Sequence, residues 1–308
     1  MALPQCVNRD RSVLVLTHQS HFRVPHSNET FGRQPCCRQN VTNPAHLFHS
    51  GSLWQVRLAP AIPVIGLALL AGCGGHGTEK QAAAPVIPAA KGQTCTAGSM
   101  KRLGSPKLAY AAVVRSHLAV YRRPGAPAFA RFGKLNVNGV PTIFWIRGAR
   151  VDAGCKPRQY LVQIPKRPNG VTAWVPARQV DVERVTTRIV VDLSAKRVTL
   201  FDHGRRVLSS KAAIGAPATP TPTGSFYVNQ RLIPTDKNGP FGPGAVGVSA
   251  FSNVLTGWTQ GGPIAIHGTN APWSIGKAVS NGCIRIPNRV MAKLFRLTLS
   301  GTPVLIRV

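Results

Sequence analysis

Short runs of β-branched and aromatic residues, each bounded by Gly, Pro or Asn, recur from about residue 107 to the C-terminus. Such runs are typical of strands, because branched side chains suit an extended backbone and Gly and Pro suit turns. The chain has 30 Gly and 26 Pro among 308 residues and few aromatic residues. This composition favours short strands over a helical bundle, and we expect a mainly β protein with one or two helices.

The first group of strands lies within residues 107–183 and predicts a small all-β module. Its strand-like segments are residues 108–114, 117–124, 141–150, 159–165 and 172–180. The ending Gly170–Pro176 resembles the last strands of bacterial SH3-like domains. That resemblance allows either a module that touches cell-wall polymers or a spacer without a ligand.

A second group of strands predicts another domain over residues 184–308. Pro217, Pro220 and Pro222 exclude a central strand between its early and late strands. One helix is expected from Pro287 to Leu299, with Val290, Leu294 and Leu297 on its apolar face. The predicted strands are Arg188–Asp192, Arg197–Asp202 with a turn at His203–Gly204, Ser225–Asn229, Ile264–Ile266 and Pro303–Val308.

The region before the module predicts an exported, anchored protein. Residues 1–52 show no periodicity, and we expect a disordered tail or an extension from a misassigned start codon. Residues 53–73 match a signal peptide whose apolar run is too short to span a membrane. Its ending, Leu-Ala-Gly-Cys, resembles the lipobox of bacterial lipoproteins, which predicts lipidation of Cys73; an unmodified secretory peptide is the alternative. Residues 74–106, rich in Ala, Gly and Pro, predict a linker.

The charge balance is strongly basic, with 38 Lys and Arg against 9 Asp and Glu and a formal net charge of +29. Such a field attracts polyanions, among them anionic wall polymers. A compositional bias toward Arg without a dedicated partner is the alternative. The basic residues are scattered and carry no nucleic-acid-binding signature, so no nucleic-acid partner is predicted. The His and Cys residues of the N-terminal region have no ligand spacing, so neither a metal nor a cofactor is predicted.

Export implies an oxidising compartment, in which cysteines form disulfides. Once the first 52 residues, Cys73 and the motif cysteine Cys283 are set aside, Cys95 and Cys155 remain. We therefore expect a disulfide between Cys95 and Cys155.

Cys283 and His267 are the candidate reactive pair. A free thiol is mostly protonated at neutral pH, and a neighbouring imidazole can take its proton and later protonate a leaving amine. No Asp or Glu follows Gln260, so we expect a backbone carbonyl, such as that of Gly268, to orient the imidazole. Gly282 permits a sharp bend before the cysteine, and amides beside it can face an oxyanion. Arg285 shares the strand face of Cys283.

The segment from His267 to Asn288 strongly resembles the signature of YkuD-type L,D-transpeptidases, a His-Gly pair followed by Ser-x-Gly-Cys-hydrophobic-Arg. Thr221–Phe226 also resembles that family's TPTG-x-F element. By this resemblance, Cys283 is the nucleophile, His267 the base, and Ser280, Gly282 and Gly268 complete the catalytic set. The candidates for substrate contacts are Arg285, Asn281 and Thr269. Some members have a second His at the position of Asn281, so any role of that His is absent here.

The resemblance implies a YkuD-like β-sandwich or barrel that acts on peptidoglycan stem peptides without a cofactor. The cysteine would form a thioester with the third stem residue, and an amine of another stem would resolve it to give a 3→3 cross-link. Water as acceptor would make the enzyme an L,D-carboxypeptidase, and a protein amine would make it a protein-attachment enzyme. Carbapenem acylation of Cys283 is expected by the same analogy.

Two readings compete with this hypothesis. Sortases also carry His, Cys and Arg in this order, but their arginine normally lies on a later strand, whereas Arg285 is adjacent to the cysteine. A non-catalytic, basic wall-binding lipoprotein is the other reading. The intact set of His267, Ser280, Gly282 and Cys283 argues against a decayed site.

Overall fold

The computed structural model of the protein describes residues 13–16 and 94–308. The predicted signal peptide with Cys73, the predicted linker up to residue 93 and the rest of the predicted N-terminal extension lie outside the described residues. One short strand, β1 (Val13–Leu16), falls within that predicted extension, where the sequence analysis assigned no strand.

Eight short strands form an antiparallel sheet within residues 94–185. Their order is β5-β4-β8-β7-β6-β3-β9, and β2 pairs with β6. The all-β character predicted for this module is confirmed. The predicted linker of residues 74–106 was wrong at residues 100–102, which form a strand of this sheet. The strands are β2 (Met100–Arg102), β3 (Ala109–Val114), β4 (Leu118–Tyr121), β5 (Ala128–Phe132), β6 (Ile143–Val151), β7 (Pro157–Gln163), β8 (Thr172–Pro176) and β9 (Val180–Val185).

The module has its own apolar core, built by side chains that alternate along its strands. On β4, Leu118 and Val120 are buried while their neighbours are partly exposed, as expected for a strand with one face on a core. The core of the module includes Phe144, Ile146, Val162 and Val175. Cys95 and Cys155 form a disulfide between chain positions 60 residues apart, which is the pairing expected from the sequence.

The remaining strands belong to a second, mixed sheet with the order β12-β11-β10-β19-β14-β15-β16-β18, to which β1 adds beside β14. The hairpin of β11 and β12 turns at His203 and Gly204, both at positive φ. The strands are β10 (Thr187–Asp192), β11 (Arg197–Asp202), β12 (Arg205–Lys211), β14 (Gly224–Pro234), β15 (Ala245–Phe251), β16 (Pro263–His267), β18 (Ile284–Arg285) and β19 (Pro303–Arg307). A separate parallel pair is formed by β13 (Ile214–Gly215) and β17 (Ala278–Ser280).

The core of the second sheet lies on one face, where Phe226, Val228, Ile264, Ile266 and Ile284 are buried together. Helix α1 (Asn288–Leu297) covers this core with its buried residues Met291 and Leu294. The prediction of one helix in this part of the chain is confirmed, but the predicted apolar face was wrong at Leu297, which is 40% exposed. Met291 is buried as well, three residues before Leu294 on the same side of the helix.

The module packs against the second sheet at β14, on the face opposite to that core. Tyr227 is fully buried there, and its hydroxyl donates to the carbonyl of Ile143 over 3.0 Å. The side chain of Gln163 donates to the carbonyl of Ser225 over 2.9 Å. Among the residues described, no helix is long and apolar enough to cross a membrane.

Candidate active site

Cys283 lies in the tight turn that joins β17 to β18. Gly282 precedes it with a φ of +105°, a conformation that side chains rarely tolerate. Ser280 closes the turn, because its hydroxyl donates to the carbonyl of Cys283 over 2.5 Å and accepts from the amide of Gly282 over 3.2 Å. The sequence-predicted residues Ser280 and Gly282 therefore fix the backbone that carries the thiol.

The TPTG segment supports this turn from the opposite side. Thr221 is buried, and its hydroxyl donates to the carbonyl of Gly282 over 2.8 Å and accepts from the amide of Gly215 over 2.9 Å. Thr219 donates from its hydroxyl to the carbonyl of Ser280 over 2.9 Å. Thr219 lies two residues before the motif Thr221–Phe226, and the contacts of Thr219 and Thr221 with the turn were not predicted from the sequence.

His267 ends β16 and shares a sheet face with Cys283. Ile266 pairs with Ile284, and His267 with Arg285, in adjacent parallel strands. Ile266 and Ile284 point into the core. Since side chains alternate along a strand, His267, Cys283 and Arg285 all project from the opposite face.

The imidazole of His267 is oriented by main-chain atoms. Its Nδ1 lies 2.6 Å from the carbonyl oxygen of Gly268, and because a carbonyl only accepts, Nδ1 carries the proton and Nε2 is the basic nitrogen. The predicted backbone orienter is confirmed. Gly268 has no side chain, and a Cβ there would come within 2.8 Å of Pro243 Cδ. Only glycine therefore allows the backbone at position 268 to pack this closely against Pro243.

Two residues that the sequence analysis missed also surround the imidazole. The ring of Phe241 meets it edge-on at 5.1 Å between centroids, and the backbone of Pro240 hydrogen-bonds to it. Burial lowers the pKa of His267 from 6.5 to about 4, and the charge of Arg285 adds to this, whereas the backbone hydrogen bonds with Gly268 and Pro240 oppose it. The imidazole is therefore neutral at pH 7 and able to accept a proton.

Cys283 is half-buried and is the free cysteine among the described residues. Burial raises the pKa of its thiol, while a backbone hydrogen bond with Ala265 and the charge of Arg285 oppose the increase. Its sulfur lies 3.9 Å from the carbonyl oxygen of Pro263. The thiol of Cys283 is therefore protonated at neutral pH, and the neutral imidazole of His267 lies on the adjacent strand.

The three residues expected to contact substrate occupy different environments. Arg285 is partly exposed, its backbone pairs with Ala213, and its charge acts on both Cys283 and His267. Asn281 is exposed at the tip of the turn. Thr269 is buried, and its hydroxyl accepts from the amide of Ala271 over 2.9 Å.

Asn288, which the sequence analysis did not single out, holds the segment after His267. Its side-chain oxygen accepts from the amide of Thr269 over 2.7 Å. Its position directly after Pro287, at the start of the predicted helix, could have indicated a role in binding a nearby backbone amide. In the described part of the chain, no three His, Cys, Asp or Glu side chains lie close enough together to hold a metal ion.

Residues 186–306 match the family model of the L,D-transpeptidase catalytic domain, YkuD. The chain is 38% identical over 126 residues to the YkuD protein of Bacillus subtilis (strain 168), covering 41% of this chain and 69% of that relative. It is 37% identical over 122 residues to the YkuD protein of Bacillus licheniformis, covering 40% of this chain and 66% of that relative. The chain therefore belongs to the YkuD family of L,D-transpeptidase catalytic domains.

Solved structures show weaker similarity. A mutant of Enterococcus faecium L,D-transpeptidase is 27% identical, with a TM-score of 0.32 over 39% of this chain and 49% of that one. L,D-transpeptidase 3 from Mycobacterium tuberculosis is 20% identical, with a TM-score of 0.33 over 50% of this chain and 79% of its own. Because these TM-scores are low, family membership follows from the family model and the Bacillus relatives. The match spans about half of the Enterococcus chain.

Proposed function

We propose that the protein is a peptidoglycan L,D-transpeptidase that works through a thioester on Cys283. The observation that carries this proposal is the common sheet face of Cys283, His267 and Arg285 within the family-matched residues. A protonated thiol and a neutral imidazole on adjacent strands are the groups that acyl transfer requires.

In the first step, Nε2 of His267 takes the thiol proton as the sulfur attacks the carbonyl carbon of the third stem residue. The resulting oxyanion needs a hydrogen-bond donor. The amide of Gly282 already bonds to Ser280, so we assign this role to the amide of Cys283. His267 then protonates the departing nitrogen, the C–N bond breaks, and D-Ala leaves a thioester behind.

In the second step, a side-chain amine of another stem attacks the thioester carbonyl and passes a proton to His267. The C–S bond breaks, the thiol regains its proton, and a 3→3 cross-link remains. Water or a protein amine in place of this acceptor would give hydrolysis or protein attachment at the same site. We assign Arg285 and Asn281 to substrate contacts, because both lie next to the thiol and reach solvent. Thr269 stays a weaker candidate, since its hydroxyl already closes a local turn.

We also propose that the protein works in the cell envelope, anchored through a lipid on Cys73. The Leu-Ala-Gly-Cys sequence that ends the apolar run supports this location, and so does the disulfide of Cys95 and Cys155. The net charge of +29 would favour contact with anionic wall polymers. Labelling of cells with a radioactive fatty acid tests the anchor, and label that persists in Cys73→Ala would contradict it.

The function is tested by intact mass spectrometry of the full chain after incubation with a disaccharide tetrapeptide. We expect a covalent adduct equal to the fragment without its terminal D-Ala. The adduct should be absent in Cys283→Ala and strongly reduced in His267→Gln. Added acceptor stem should then convert the adduct to a cross-linked dimer.

Each alternative predicts a different result in the same assay. Free tripeptide as the main product, with acceptor present, would indicate a carboxypeptidase. Tight binding to sacculi without any adduct would indicate a wall-binding protein and would refute the proposed chemistry. An adduct that persists in Cys283→Ala would refute the assignment of the nucleophile.

A further inference from the structure

A cavity of about 430 Å³ lies between the module and the second sheet. We call it the loop cleft. The module contributes the loop after β5, and the second sheet contributes residues of β14, β15 and the start of β16. Residues that line both sides include Leu135, Val137, Asn138, Gln230, Phe251 and Pro263.

Pro263 lies between the loop cleft and the candidate nucleophile Cys283. This residue lines the cleft, and its carbonyl oxygen lies 3.9 Å from the sulfur of Cys283. A group held in the cleft is therefore one residue away from the nucleophile.

The module and the reactive pair also lie on the same side of the sheet. Phe226 and Val228 point into the core, so Tyr227 between them points outward, where its hydroxyl meets the module at Ile143. His267 and Cys283 project away from the same core. The module therefore lies on the sheet face from which Cys283 projects, and the loop cleft separates the module from this face near Pro263.

Amide side chains connect the module loop to residues beyond the module. The side-chain oxygen of Gln230 accepts from the side-chain amides of Asn136 over 3.0 Å and Asn138 over 2.8 Å. The amide of Gln260 donates to the oxygen of Asn138 over 3.1 Å. These bonds join the module loop to β14 and to the turn between β15 and β16.

The cleft offers both polar and apolar groups to a ligand. Asn229, Gln230 and Asn138 contribute amide side chains to its lining. Leu135 and Val137 lie on the loop with 53% and 84% of their surfaces exposed. A peptide with small apolar side chains matches this combination better than a bare sugar or a phosphate does.

We propose that the loop cleft binds the peptide portion of the substrate that continues from the carbonyl at Cys283. The N-terminal module would thus form part of the substrate site and contribute to selection of the stem peptide. This proposal rests on the proposed function, because it takes the stem peptide as the ligand.

The test is the affinity of the full chain for a disaccharide tetrapeptide, measured by calorimetry with Cys283→Ala as the background. Val137→Asp replaces an exposed apolar contact by a hydrated carboxylate without disturbing a core. We expect it to weaken binding about fivefold, as for loss of one apolar contact. Val207→Asp is the matched control, because Val207 is an exposed valine of β12 that does not line the cleft, and its affinity should equal that of the background.

Equal affinity in Val137→Asp and the background, or no binding of the tetrapeptide at all, would overturn the proposal. Adduct formation, measured in the chain with its native Cys283, separates the test of the cleft from the test of the proposed function. If an adduct forms while Val137→Asp binds the tetrapeptide normally, binding in the cleft is refuted and the proposed function stands. If Val137→Asp weakens binding but the chain with Cys283 forms no adduct, binding in the cleft is supported and the proposed function is refuted.

Discussion

Thr221 donates a hydrogen bond from its hydroxyl to the carbonyl of Gly282, the residue directly before the proposed nucleophile Cys283, over 2.8 Å. The two residues are 61 positions apart in the chain. The same hydroxyl accepts from the amide of Gly215 over 2.9 Å. One buried side chain thus connects β13 to the turn that carries Cys283.

Thr221→Val should therefore lower both stability and reactivity. Valine has the shape of threonine but leaves one backbone donor and one backbone acceptor without a partner, which costs about 2–4 kcal/mol of unfolding free energy. A displaced turn should slow acylation by a carbapenem on the order of tenfold to 100-fold. Thr223→Val is the control in the same motif, because Thr223 is exposed. Equal acylation rates in the two variants would contradict a supporting role for Thr221.

Gly282→Ala should damage the turn itself. The φ of +105° is costly for alanine, and a Cβ would lie 2.9 Å from the buried Cδ1 of Ile264. We expect a folded protein by circular dichroism whose thiol is acylated at least about tenfold more slowly. Gly276→Ala is matched to it, since Gly276 has a φ of +87° but open space around a Cβ. A similar loss in both variants would assign the effect to backbone strain anywhere in the domain.

The rate of acylation should keep a flat pH profile well below neutral pH. The pKa of His267 is lowered to about 4, so the imidazole stays neutral and basic down to about pH 5. Carbapenem acylation measured by stopped flow should fall only as the pH approaches 4. An acid limb near pH 6.5 would show that the imidazole has its ordinary pKa and is exposed to solvent.

The same histidine should make stability depend on pH. Its pKa is about 4 when folded and 6.5 as the reference value, so the unfolded chain binds more protons between these values. The stabilisation linked to the neutral imidazole is complete above pH 6.5. As the pH falls from 6.5 toward 4, the free energy of unfolding decreases by about 3 kcal/mol. Urea unfolding of the wild-type chain and of His267→Gln measures this difference. Parallel pH dependences in the two proteins would contradict it.

Reduction of the disulfide should destabilise the module. Cys95 and Cys155 are 60 residues apart in sequence, and a closed loop of that length stabilises a fold by about 4 kcal/mol through the unfolded chain. Urea unfolding with and without a reductant should show this shift, and a double replacement of both cysteines by serine should abolish the effect of the reductant. If the reductant lowers the stability of the serine variant equally, its effect does not come from this disulfide.

Much of the second sheet could be predicted from local patterns. The strand Arg197–Asp202 begins and ends where the alternation of its side chains indicates, and His267 and Cys283 were identified from motifs. Strand β15 was missed because its residues Ala245–Ala250 are all buried, so they lack the alternation that marks a strand with one wet face.

Other features depend on contacts that no local pattern contains. The hydrogen bond between Thr221 and Gly282, and the edge contact of Phe241 with His267, join residues that meet only in the folded chain. Leu297 fits a helical period but is 40% exposed as the last residue of α1. Patterns specify which face can be apolar, whereas tertiary packing decides how much of that face is used.

The contact between His267 and the carbonyl of Gly268 has a consequence for durability. A carboxylate in the same place would gain a proton in acid and release the ring, and a single codon change could remove it. A peptide oxygen does not titrate in this range, so the orientation of the ring does not depend on the protonation of an acidic side chain. It depends instead on glycine at position 268, because a Cβ there would come within 2.8 Å of Pro243 Cδ.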